Sequence, residues 1–326
     1  MNNLSFCQVL DRLREIKKTA IICHRNPDPD CLGSATALAY VLSELGSQAT
    51  VLCCERLPKR LSFITKEKEI LYSGDFSEFE RVICVDVASP SQMGELDKFS
   101  HRVDLTIDHH TMNTRFSDYY MEDCAACAQI IFKIAEGLGL YDRLPIDFFS
   151  SVYAGISGDT GCFKYSNVTD ETHIIASKLI SKGIDCAEIN RLIFETKTFG
   201  EVVAERLTYQ YMKLSADGKL ATITFTNKMK EENSLTDEDL GDIVNHIRQI
   251  QGVLVAVSIK QSAKDEKRFS VSSRSNSDVD VSQLCASLGG GGHLRAAGCT
   301  VNADSPEEAE KMIIPVFLEA VLSYGR

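Results

Sequence analysis

Four short stretches of the chain concentrate carboxylates and imidazoles at spacings that suit metal chemistry. His24, Asp28 and Asp30 share one loop, His24-Arg-Asn-Pro-Asp-Pro-Asp30. Its two prolines restrict the backbone and lower the cost of holding three side chains together. Asp86 closes the apolar run Val82-Ile-Cys-Val, Asp108-His109-His110 closes Leu105-Thr-Ile, and Asp159 stands in Gly158-Asp-Thr-Gly161 after the apolar segment 148–156. A single aspartate in such a place is ordinarily a turn former or a helix N-cap. Turn chemistry does not require three histidines beside them. Oxygen donors mixed with imidazoles suit Mn²⁺ or Mg²⁺ better than the closed thiolate sites of structural zinc. Two such ions about 4 Å apart, sharing one carboxylate, would clamp a phosphate and activate water.

These residues are expected to be brought together by strand ends, because in an open α/β sheet the carboxyl ends of the strands line one crevice. Residues 19–23, 48–54, 81–85 and 105–107 read as strands, and 32–45 and 125–138 as helices. This alternation predicts a mostly parallel sheet covered by helices. The stretch 195–213 is charged and helical without a strong core pattern, as a connector would be. Beyond it a smaller α/β unit is expected, with strands at 219–226, 253–260 and 268–273 and helices at 237–250 and 306–324. The domains so read are 1–194 and 214–326. Cys124-Ala-Ala-Cys127, a lone CxxC pair, reads as part of a packed helix face.

Composition bounds the function further. The chain has 326 residues, 44% of them hydrophobic, enough for two cores. A net charge of −11 argues against a basic track for long duplexes, whose affinity comes from many Lys and Arg contacts to phosphates. Positive charge for an anionic substrate would then be local, with metal ions its usual source. Neither a long apolar span nor a leader-like start is visible, and cysteines such as Cys23 and Cys84, of twelve in the chain, sit singly inside apolar runs. A cytoplasmic protein with free buried thiols and no membrane partner is therefore expected.

The four motifs in this order resemble those of the DHH phosphoesterase superfamily, named for the tripeptide present here as Asp108-His109-His110. Gly289-Gly-Gly-Gly-His293-Leu-Arg-Ala-Ala-Gly298 with Ser273-Arg274-Ser275 resembles the DHH-associated domain, so the resemblance runs from about residue 19 to 299. It implies a catalytic metal-binding first domain, a substrate-binding second domain and a cleft between them. It also implies His24 and Asp28 on one divalent ion, Asp30, His109 and Asp159 on the other, and Asp86 as the bridge. Asp108 would orient an imidazole and His110 would face the substrate phosphate. Ser273, Arg274, Gly290, Gly291, Gly292, His293 and Arg295 would bind the substrate, the glycines by letting amides approach an anion. The layout is most like the bifunctional oligoribonuclease and 3′-phosphoadenosine 5′-phosphate phosphatase group. That implies two metal ions, Mn²⁺ first with Mg²⁺ or Co²⁺ as alternatives, short single-stranded RNA or a small nucleotide as substrate, and leaves a homodimer open. Cyclic-dinucleotide phosphodiesterases share the two domains and are the alternative. A nucleotide sensor without catalysis ranks lower, because every ligand position is filled by a competent side chain.

Overall fold

The computed structural model describes all residues except 58, 67, 69, 73–75, 111–112, 242 and 325–326, and leaves out the side chains of 59 and 76. The chain divides into two compact units, Met1–Thr196 and Lys197–Arg326.

In the first unit, strands β1 (Thr19–Ile22), β2 (Ala49–Leu52), β3 (Ile70–Leu71), β4 (Arg81–Val85), β5 (Leu105–Asp108) and β6 (Tyr119–Met121) form one sheet in the order β3-β2-β1-β4-β5-β6. Every neighbouring pair is parallel. β1 and β4 are buried along their whole length, as β-branched runs covered on both faces must be. The strand order reverses between them, which makes their carboxyl ends the crevice of the sheet. The helices are α1 (Phe6–Arg14), α2 (Pro29–Glu44), α3 (Ser62–Thr65), α4 (Cys127–Gly137), α5 (Ile146–Asp159), α6 (Asp170–Ser181) and α7 (Cys186–Asn190). α2 is rich in small residues and lies close against α5. A side chain at Gly33 of α2 would overlap the Ser151 carbonyl of α5.

The segment 148–156, read as leading to Asp159 from a strand, lies within α5, so Asp159 is the last residue of a helix. Phe148–Phe149 and 151–157 are buried, and a helix apolar on every side shows no 3.6-residue period to betray it.

In the second unit, β7 (Lys213–Ser215), β8 (Leu220–Phe225), β9 (Val255–Gln261), β10 (Arg268–Ser275), β11 (Gly291–His293) and β12 (Ala296–Asn302) are ordered β11-β12-β10-β9-β8-β7. β8 and β9 run parallel and the other pairs antiparallel. Helices α8 (Phe199–Tyr211), α9 (Asn227–Glu232), α10 (Ile243–Arg248), α11 (Val281–Ser287) and α12 (Pro306–Ser323) complete it. The expected helix 237–250 is a 3-10 turn, Glu238–Leu240, followed by α10, with residue 242 outside the described residues. The stretch read as a connector is mostly α8. Its Ala204 and Leu207 are buried with Ala221, Ile223 and Leu240, so it packs within the second unit through a face too narrow to stand out in sequence.

Candidate metal centre

Asp28 caps α2. Its Oδ1 accepts the amides of Asp30 (3.0 Å) and Cys31 (2.9 Å), and Pro29 follows at the first helical position. The other oxygen, Oδ2, is left 3.8 Å from His24 Nε2. Asp30, in the first turn of α2, is fully buried. It accepts the Cys127 amide at 2.7 Å, the Ala128 amide at 2.9 Å and the Ser34 hydroxyl at 3.2 Å. A carboxylate from α2 thus caps the N-terminus of α4, where the helix dipole favours negative charge. Space for it exists because residue 155 is glycine: a Cβ there would stand 2.9 Å from Asp30 Oδ1.

Asp86 leaves β4 with φ +57°, a left-handed conformation that costs a non-glycine residue about 1–2 kcal/mol, Asp and Asn being the most tolerant. The side chain is buried, and among the described residues its Oδ1 has no hydrogen-bond partner. Strained backbone and a bare buried oxygen together mark a position held for a ligand. His109 Nε2 lies 3.5 Å and His110 Nδ1 3.4 Å from that oxygen, while His24 Nε2 lies 3.7 Å from Oδ2.

His109 Nδ1 is 3.1 Å from the Cys124 carbonyl, so the proton belongs on Nδ1 in the neutral ring and Nε2 presents a lone pair. Three carboxylates surround that lone pair: Asp159 at 3.4 Å, Asp86 at 3.5 Å and Asp30 at 3.8 Å. Acceptors facing an acceptor require a cation, either a proton or a metal ion. Without metal the cluster holds protons. Burial and the Asp86 charge push Asp30 up to about 7, and burial with the Asp30 charge raises Asp159. Burial disfavours a charged His109, but the close Asp86 carboxylate and the charges of Asp30 and Asp159 lift it to about 11.

Ligand atoms within 4.8 Å of one another come from Asp30, His109 and Asp159, from Asp86, His109 and His110, and from His24, Cys31 and Asp86. The donor chemistry, carboxylates with neutral imidazoles, fits a divalent cation. Asp108 holds the two histidines in place. Its Oδ1 accepts the amides of His109 (2.8 Å) and His110 (3.2 Å) and pairs with His110 Nδ1 at 2.7 Å, and its Oδ2 accepts Asn113 Nδ2 at 2.6 Å. Burial disfavours the charged His110, yet the Asp108 hydrogen bond and the charges of Asp86 and Asp108 together outweigh it and raise its pKa.

Cys31 and Asn113 escaped the sequence reading. Cys31 accepts the His24 amide on Sγ at 3.3 Å, but one thiol among many apolar cysteines carries no spacing signal. Cys124 and Cys127 point their thiols at carbonyls, of Ala126 and Ile107, and belong to none of these ligand groups.

In the second unit, Ser273 is fully buried, and its hydroxyl donates to the Ala297 carbonyl at 3.0 Å, which ties β10 to β12. Gly290 and Gly292 are also explained without a ligand: side chains there would overlap Gly298 and Ala296 across the β11–β12 hairpin. Gly291 faces open space, and His293 and Arg295 are exposed or half-exposed beside it. Arg274 Nη1 donates to the Ser273 carbonyl at 3.0 Å, and Arg295 lies 3.5 Å from Asp278.

Residues 18–156 match the family model of the DHH family, N-terminal domain, and residues 217–319 that of the DHHA1 domain. The chain, with its parallel-sheet unit followed by a smaller mixed-sheet unit, belongs to the DHH phosphoesterase superfamily. It is 29% identical to the bifunctional oligoribonuclease and PAP phosphatase NrnA of Thermus thermophilus, over 94% of this chain and 90% of that protein. It is 26% identical to the protein of the same name from Bacillus subtilis, over 90% of this chain and 92% of that one. Among solved structures, an exopolyphosphatase-related protein from Bacteroides fragilis has the same fold, with a TM-score of 0.86, 22% identity and coverage of 98% of this chain and 96% of that one.

Proposed function

We propose that this chain is a metal-dependent phosphoesterase that hydrolyses short oligoribonucleotides to mononucleotides and 3′-phosphoadenosine 5′-phosphate to AMP. The observation that carries this is the bare, buried Oδ1 of Asp86 facing two imidazoles, within a ring of carboxylates too crowded to stand without a cation. The names of relatives matched along nearly their full length narrow the substrate. His24, Asp28 and Asp86 would hold one divalent ion, and Asp30, His109, Asp159 and Asp86 a second. Manganese is our assignment for both. Such ions neutralise phosphate charge and make water a competent nucleophile near neutral pH.

The chain's own part is positioning and proton handling. Asp108 fixes His110 through Nδ1, which leaves Nε2 as the nitrogen able to give a proton to the departing oxygen. The neighbouring Asp108 and Asp86 carboxylates raise the pKa of the ring and so favour its protonated form. Gly291, His293, Arg274 and Arg295 are the proposed anion-binding residues of the second unit, and loss of either arginine should act mainly on KM. The test compares Mn²⁺-dependent turnover of a diribonucleotide, 3′-phosphoadenosine 5′-phosphate, a cyclic dinucleotide and pyrophosphate on one preparation. The first two should be hydrolysed fastest. Preference for the cyclic dinucleotide would replace this reading with the phosphodiesterase alternative, and no turnover of any of them would favour a nucleotide sensor.

A further inference from the structure

The segment after Asp159 has a conformation that its neighbours must enforce. Gly161, Cys162 and Phe163 are consecutive left-handed residues, at φ +56°, +60° and +60°. Two of the three carry side chains, so this turn persists only where the surroundings over-determine it. Buried Thr160 does so from within: its carbonyl accepts the amides of Lys164 (2.9 Å) and Tyr165 (3.0 Å), and its hydroxyl accepts that of Phe163 (3.0 Å). The Phe163 ring is anchored between α5 and α6, tilted against Tyr153 at 5.8 Å and stacked on His173 at 5.5 Å and 22°. Asn167 closes the loop by donating to the Asp159 carbonyl at 3.1 Å and the Ala125 carbonyl at 3.0 Å.

The result is a fixed position for Tyr165. Its ring lies across Gly161, where any side chain would overlap it, two residues from the proposed ligand Asp159. Yet Tyr165 is 42% exposed. A large aromatic backed by bare backbone, partly exposed and held by a strained turn has the form of a stacking platform.

We propose that Tyr165 stacks on the nucleobase next to the phosphate held at the metal centre, and so supplies base-dependent, sequence-tolerant affinity. The inference rests on the phosphoesterase reading above and deepens it. Stacking is also the contact an acidic protein needs, because it gains affinity from the uncharged part of an anionic substrate. Alanine at a stacking aromatic costs about 1–3 kcal/mol per base, a factor of roughly 5 to 150 in affinity.

Two measurements test this. The first is steady-state kinetics with 5′-phosphorylated diadenylate and its two singly abasic counterparts. Tyr165→Ala should raise KM for diadenylate at least fivefold with kcat within about twofold, and Tyr165→Phe should match the parent. The KM of one abasic counterpart should be indifferent to Tyr165→Ala. An equal KM rise on all three substrates, an unchanged KM for diadenylate, or a Tyr165→Phe variant as impaired as Tyr165→Ala would each overturn the proposal. The second needs no turnover. The chain contains no tryptophan, so Tyr165→Trp introduces a single indole. Its fluorescence should be quenched by AMP and not by ribose 5-phosphate, in Mn²⁺-loaded protein. Equal responses to both would sink the stacking role. If the parent enzyme hydrolyses no nucleotide while quenching by AMP persists, the phosphoesterase reading fails and the base platform stands.

Discussion

At Asp86 the backbone and the carboxylate make separate demands. The left-handed backbone tolerates Gly, Asn and Asp, and the bare oxygen requires Asp. Asp86→Ala, Asp86→Asn and Asp86→Gly should all lose Mn²⁺-dependent turnover. Their metal-free stabilities should differ, the Gly variant exceeding the Ala variant by about 1 kcal/mol in urea denaturation. Equal stability would mean the turn is not strained. Asp108 offers a different reading. Its hydrogen bond helps raise the His110 pKa, so Asp108→Asn should move the alkaline limb of kcat to lower pH. A limb that stays in place would remove His110 as the proton donor. The cluster as a whole sets a pH dependence for the metal-free protein. Asp30, raised to about 7, binds its proton more tightly folded than unfolded, so its stabilising effect is lost as pH climbs from about 4 to 7. His109, raised to about 11, loses its contribution from about 6.5 upward. Metal-free protein should therefore melt at lower temperature at pH 8 than at pH 6, and Mn²⁺ should raise the melting temperature more at pH 8, since protons and metal compete for the same ligands. Scanning calorimetry with and without chelator decides this.

At the level of elements, the centre depends on how closely α2, α4 and α5 approach, because α2 carries Asp28 and Asp30 and α5 ends in Asp159. Gly155→Ala would place a methyl 2.7 Å from Ala128 Cβ and 2.9 Å from Asp30 Oδ1. Overpacking of this kind costs about 1–3 kcal/mol, and here it also displaces a proposed ligand. The variant should lose stability in denaturant titration and bind Mn²⁺ at least tenfold more weakly in calorimetric titration. Unchanged metal affinity would show that Asp30 can shift without consequence. The same helices show what sequence could reveal. Proline spacing and β-branched runs announced β1, β4 and β5 and put His24, Asp86 and Asp108 at their ends, because those signals are local. The nature of α5 was hidden because burial on every side erases periodicity. The burial of Ser273 was not legible, because a serine beside an arginine looks the same in sequence whether its hydroxyl faces solvent or a neighbouring strand. The short edge strands β3, β6, β7 and β11 have too few residues for any alternating pattern.

Across the whole molecule, a net charge of −11 sets how affinity scales with substrate size. A basic track gains counterion release with each added phosphate, whereas a metal centre with a few local cations stops gaining once they are engaged. The kcat/KM measured on RNAs of increasing length should peak at about two to five nucleotides, near the site sizes of small single-strand binding modules. The salt dependence should not steepen with length. A steady rise to 20-mers would instead indicate a processive exonuclease. The proposed ligands also lie far apart in sequence, from His24 to Asp159, around a sheet whose central neighbours β1 and β4 are not consecutive in the chain. This fixes an order of events in the making of each molecule. At a synthesis rate of about 5–20 residues per second, roughly seven to twenty-seven seconds separate the first ligand from the last. Through that interval β1 and β4 can pair while Asp159 has yet to be made, so the centre is completed after the sheet, and metal capture comes late in the birth of the enzyme.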